Sequence, residues 1–233
     1  MRGSVIRRWG AAGAALVLSL SLTACQGETM TAFDATAYVQ GVLDETYKGT
    51  WDNAFLDLVD LTDGEAQDAY EASLNEEYRR FAYQFDINDS LLTEETRQSA
   101  LDLLAEVSAK AQYTVQQAVA LDDTRYAVEV SARPMDLFIQ VREDAPADFQ
   151  TEFAEQYAGV DLDDLSAEER TSLESEYENA WANGIVELCR GRLGLVGYGD
   201  VESILVLVAP DDDGLYTMGD NDFSNLSALI LPY

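Results

Sequence analysis

The sequence predicts an α+β domain: N-terminal helices packed on an antiparallel sheet of about four strands, arranged as two hairpins. Three observations carry this. Between residues 34 and 107, apolar side chains recur at steps of three and four behind recognisable helix caps. From Gln112 the period drops to two, around an Asp122-Asp123 turn. After a second long helical segment, the apolar run 201–209 leads into an Asp-rich turn and a short partner strand.

Taken in order, Asp34 is placed to cap a helix running to about Lys48, with Phe33 set to staple onto Tyr38 and Gly49 as its C-terminal stop. Tyr38, Val39, Val42 and Leu43 form its buried stripe. A short helix after Thr50 buries Trp51, Phe55, Leu58 and Val59. Thr62 and Glu65 match a capping box, opening a helix to about Phe85 whose apolar face is Ala66, Tyr70, Leu74, Tyr78, Phe81 and Phe85. A connector, Asp86 to Leu92, precedes Thr93, the cap of a fourth helix through Leu101, Leu104 and Val107.

The first hairpin alternates Tyr113, Val115 and Val119 against Tyr126, Val128, Val130 and Ala132, and Pro134 closes it. Residues 135–158 are helical in composition, with Pro146 breaking or restarting the helix because it has no N–H to donate. Ser166 and Glu169 form another capping box, for a long helix marked by Leu173, Tyr177, Trp181, Ile185 and Leu188. Val201 to Ala209 is a strand, Asp211 to Gly214 a turn, and Leu215 to Met218 the partner strand. The tail from Phe223 to Leu231 packs back on the domain.

The first 24 residues read as an export signal. Arg2, Arg7 and Arg8 precede the apolar run Ala11 to Leu22, which falls short of the roughly 20 apolar residues needed to span a bilayer. The run ends in Leu22-Thr23-Ala24-Cys25, which looks like the lipobox of bacterial lipoproteins. That likeness implies cleavage between Ala24 and Cys25 and attachment of diacylglyceryl and palmitate-type chains at Cys25. Two or more chains hold a protein stably, since each buried CH₂ contributes about 0.8 kcal/mol. The expected organisation is a signal peptide over 1–24, the lipidated cysteine and a tether over 25–32, and one extracellular domain over 33–233. Fully extended, residues 26–32 reach only about 25 Å.

Loss of the three signal arginines leaves 11 basic against 44 acidic residues, a net charge of minus 33. Such a field repels phosphate backbones and anionic headgroups, so nucleic acid is not an expected partner. The hydrophobic content of 47% supports a folded core under an acidic surface. With Cys25 acylated, Cys189 stands alone, so no intramolecular disulfide is expected.

Histidine is absent, which removes Ser-His-Asp and Cys-His catalysis and, with one free cysteine, the usual zinc ligand sets. No phosphate loop or dinucleotide fingerprint is present. The sequence therefore singles out no catalytic residue, no metal ligand and no cofactor. Asp86-x-Asn88-x-Ser90 and Asp211-Asp212-Asp213-Gly214 are fragments of a calcium loop: the first lacks the sixth-position glycine, and the second has Ala209 where the first ligand should stand. A helix connector and a hairpin turn account for them, leaving at most weak cation binding by the acidic surface. Cys189, on the stripe of Trp181, Ile185 and Leu188, reads as an inert buried thiol, with Arg190 and Arg192 near enough to lower its pKa.

The segment Tyr38-Val39-Gln40-Gly41-Val42-Leu43-Asp44 with Tyr47-Lys48-Gly49, followed by Tyr113-Thr114-Val115 and Pro134-Met135-Asp136, resembles a group of uncharacterised lipoproteins of Gram-positive bacteria that carry a domain of unknown function. The resemblance covers most of the mature chain. It implies a place on the outer face of the cell membrane and a helix-plus-sheet domain similar to the cystatin or nuclear-transport-factor-2-like folds, and it transfers no active-site residue. The functional expectation is a lipid-anchored binding or scaffold domain, held to the membrane by its anchor and taking a protein, peptide or small ligand in the hollow between sheet and helices. The alternative is a carboxylate-dependent enzyme acting on cell-wall or extracellular glycans. That enzyme would need two acids in one cleft with their pKa values pushed apart.

Overall fold

The computed structural model describes residues 30–144, 151, 153–155, 157–159, 165–212 and 214–233. The signal, Cys25, Pro146 and Asp213 lie outside the described residues.

Helix α1 spans Ala32–Lys48. Its cap is Thr31, three residues before the expected Asp34, and Asp34 is instead the third helical residue of a reciprocal capping box. Aspartate there does the work usually given to Glu or Gln, which is why the box escapes a pattern search. Phe33 is 77% exposed and staples nothing, whereas Met30, the residue before the cap, is buried. Gly49 ends the helix in the left-handed region at φ 58°.

Helix α2, Asn53–Val59, is capped by Asp52. Helix α3, Asp63–Gln84, opens on the Thr62–Glu65 capping box. A 3₁₀ turn at Asp89–Leu91 leads to Thr93, the cap of α4, Glu94–Ser108. Helix α5 covers Leu137–Asp144, and α6, Ala167–Arg192, carries the Ser166–Glu169 capping box. These stops and starts are local chemistry: side-chain oxygens satisfy the first free N–H groups of each helix.

Strands β1 (Gln112–Val115), β2 (Val119–Ala120), β3 (Tyr126–Arg133), β4 (Glu202–Pro210) and β5 (Tyr216–Met218) form one antiparallel sheet. β3 is central, with β1 and β2 in succession along one side and β4 then β5 on the other. The two hairpins meet at β3 and β4, where Val128 faces Val206 and Val130 faces Ile204. The last helix, α7 (Asp220–Ile230), packs back on β4.

One element departs from simple alternation. β1 pairs Val115 with Val130, but β2 pairs Val119 with Ala127, so the edge strand holds one residue more than its partner between those pairs. That is a β-bulge, and it reverses which side chains point inward. The N–H of Ala118 leaves the ladder and donates to Thr36 Oγ1 at 2.8 Å, and Ala118 itself is buried. Val119, expected inward, is therefore 63% exposed on the outer face.

The inner face carries Tyr126, Val128, Val130 and Ala132 from β3, Val206 and Val208 from β4, and Tyr216 and Met218 from β5, all buried. Against it lie α1 and α7. Behind α1, α3 and α4 add Phe81, Leu103, Leu104 and Val107, each fully buried. α6 closes over α4 with Ile185 and Cys189. Most of the buried apolar residues form one continuous cluster.

Candidate functional site

The space between the sheet and its helices, where a ligand hollow was expected, is filled by this cluster among the described residues. The start of α6 carries an open depression lined by Leu165, Glu169, Ser172, Leu173 and Glu176. Glu169 is committed there to the Ser166 cap.

Glycan chemistry would require two carboxylates in one cleft with their pKa values pushed apart. Asp44 and Glu45, consecutive on α1, are displaced in opposite directions. Burial pulls the Asp44 carboxyl upward, but hydrogen bonds from Lys48 Nζ (2.6 Å), Gln40 Nε2 (2.7 Å) and Tyr113 Oη (2.8 Å) hold it below the usual range. Glu45 is 2% exposed, and desolvation pushes its carboxyl up to about 7 against a weak pull from Thr46. Thr46 Oγ1 donates to Glu45 Oε2 at 3.4 Å, while Oε1 has no hydrogen-bond partner.

The two acids do not share a cleft. Asp44 addresses β1 through Tyr113, while Glu45 influences the Tyr70 hydroxyl of α3. The sequence did hold a signal for Glu45: it continues the stripe of Tyr38 and Val42 at helical spacing, between Gly41 and Gly49. Both glycines accept close neighbours, Phe55 against Gly41 and Tyr70 against Gly49.

A third displaced acid, Glu77, is raised by burial and opposed by Arg80. It accepts a 2.5 Å hydrogen bond from Tyr233, whose ring stacks on Phe138 at 4.4 Å and lies under the Arg80 guanidinium. Arg80 also donates to the Leu231 carbonyl. This cluster fastens residues 231–233 to α3 and α5, a structural task for Glu77, Arg80 and Tyr233.

The remaining sequence candidates fall into place as supports. Asn88 caps the 3₁₀ turn, its side chain accepting from Ser90 N. Asp89 accepts from the Tyr78 hydroxyl and faces Arg97 at 3.8 Å. Asp211 Oδ1 accepts from Leu215 N, and Gly214 has φ 81°, the geometry of a hairpin turn. No group of three or more His, Cys, Asp or Glu side chains capable of holding a metal ion occurs among the described residues. Cys189 is fully buried, and burial raises its thiol to about 12 against a small opposing effect of Arg192. Arg190 turns away to Ser99.

Fold and geometry define an acidic α+β domain with a filled core and its displaced acids dispersed. No family model matches the sequence, and no curated protein matches it. Among solved structures, the fold is similar to that of a protein from Bacillus subtilis subsp. subtilis str. 168 assigned as a lipoprotein, ycdA, with a TM-score of 0.52 and 10% identity over 86% of this chain and 56% of that one. The chain thus spans just over half the length of that neighbour, and the likeness is one of fold. No helix among the described residues is long and apolar enough to cross a membrane.

Proposed function

We propose that this chain is an exported lipoprotein whose α+β domain lies outside the cell membrane and works by binding or scaffolding another macromolecule. The observation that carries the anchoring is the register of basic residues, apolar run and Leu22-Thr23-Ala24-Cys25. The neighbour of similar fold, itself assigned as a lipoprotein, supports it. The binding role is supported by the filled interior and by the separate placement of the displaced acids, with Asp44 tied to Tyr113, Glu77 tied to Tyr233 and Glu45 buried in α1.

Replacing Cys25 by Ser tests the anchoring. The natural chain should fractionate with membranes and yield an N-terminal peptide carrying diacylglyceryl on sulfur. Cys25→Ser should remain uncut after Ala24 and lose that modification. A variant still cut at the same bond and held in the bilayer would overturn the proposal.

A further inference from the structure

The bulge in the edge strand has a second effect: it gathers apolar side chains on the face of the sheet that none of the described helices covers. Val119, Ala127 and Leu207 form one row across β2, β3 and β4, with Leu205 in the row beside it. Leu121 bonds the Arg125 carbonyl just beyond β2, and Ala209 lies two residues along β4 from Leu207. Val119, Leu121, Leu205 and Leu207 are 63, 54, 67 and 39% exposed, four of the large exposed apolar side chains among the described residues, brought to one end of one face. Contiguous patches of this kind mark interaction surfaces, whereas scattered exposed leucines do not.

The rim says what fits. Residues 116–132 and 202–218 hold seven acids and a single base, Arg125. Arg125 is already engaged by Asp122 at 2.6 Å. Glu129 stands on the face itself, opposite Leu205, and Asp122 and Asp123 border it in the turn before β3. At the far end, Arg133 donates to the Gly199 and Tyr198 carbonyls. A symmetric second copy would set Glu129 and its acidic rim against themselves, which is unfavourable. Anionic lipid headgroups meet the same repulsion.

We propose that this face binds a protein segment whose apolar residues alternate with or are flanked by lysine or arginine, the apolar side chains covering Leu205, Leu207, Val119 and Leu121 and the cations meeting Glu129 and Asp123. This rests on the reading of the domain as a macromolecule binder, and it names the surface and the partner's chemistry.

The test uses the full chain and three labelled eight-residue peptides, alternating leucine with lysine, serine with lysine, and leucine with glutamate, with binding followed by fluorescence anisotropy. The leucine–lysine peptide should bind at least about tenfold more tightly than the serine–lysine peptide of equal charge, and the leucine–glutamate peptide should not bind. The double variant Leu205→Ser, Leu207→Ser, at exposed positions and with an unchanged melting temperature, should lose at least about tenfold. Glu129→Lys should weaken the leucine–lysine peptide and admit the leucine–glutamate one. Equal binding of both lysine peptides, or indifference to the double variant, would overturn the inference. So would self-association, or flotation with phosphatidylcholine vesicles, that the double variant abolishes. These readouts do not depend on lipidation, so a soluble, unmodified chain would sink the anchoring proposal and leave this one standing.

Discussion

Glu45→Gln isolates the one buried carboxyl that the fold leaves half unsatisfied among the described residues. In the unfolded chain Glu45 titrates near 4.3, while in the folded protein desolvation raises it to about 7. Between those values the native state retains a proton that the unfolded state has lost. Stability therefore falls as pH rises across this window, by about 1.4 kcal/mol per unit. It is highest below about pH 4.5 and levels off above pH 7, with a total loss on the order of 3 kcal/mol. The glutamine amide is also buried without full pairing, at a cost of about 1–3 kcal/mol, but that cost does not vary with pH. The informative quantity is the change with pH in the stability difference between the two proteins, because it cancels every other titrating group. Urea unfolding of both proteins from pH 4.5 to 8 should show the difference moving in favour of Glu45→Gln by about 3 kcal/mol. A pH-independent difference would refute the reasoning, since it would mean that the carboxyl finds water or a partner in the folded state.

Three further outcomes follow from the packing. Gly41→Ala, which in an open helix would stabilise, should instead cost about 1–3 kcal/mol in chemical denaturation, because a methyl there would come within 2.0 Å of the Phe55 ring. Leu104→Ala, in the fully buried layer behind α1, should cost about 2–5 kcal/mol by the same measurement. The Cys189 thiol should resist a disulfide-exchange reagent at pH 8 in the folded protein and react once urea unfolds it, since burial raises it to about 12 and hides it from solvent.

What the sequence made legible was local. Thr62, Thr93 and Ser166 cap helices because each oxygen meets an N–H three residues on, and only at Thr93 does a distant residue, Asn179, also engage the capping hydroxyl. Both hairpins and their Asp-rich turns were readable for the same reason. The bulge was not: Val115 and Val119 keep the same parity along the chain, and only the tertiary capture of the Ala118 N–H by Thr36 shows that the register has slipped. The joining of the two hairpins at β3 and β4 depends on chain closure over some seventy residues, which no short-range pattern encodes. Glu45 lay in plain view on a buried stripe, yet a single acid among 44 attracts no notice until its neighbours are placed. The bulge itself hides the outer apolar face from the sequence, since alternation alone assigns Val119 to the core.

The Tyr126 hydroxyl donates to the Met30 carbonyl, and Met30 is buried, so the folded body takes hold of its own N-terminal lead at the start of β3. Five residue steps separate that fixed point from Cys25, a leash of roughly 17 Å at full stretch. With acyl chains at Cys25, the domain would hang like a short pendulum with the Tyr126 end of its sheet nearest the bilayer. The acidic turns at that end would then patrol only a thin shell of space above the headgroups, and whatever the domain grips would have to come to that height to be caught.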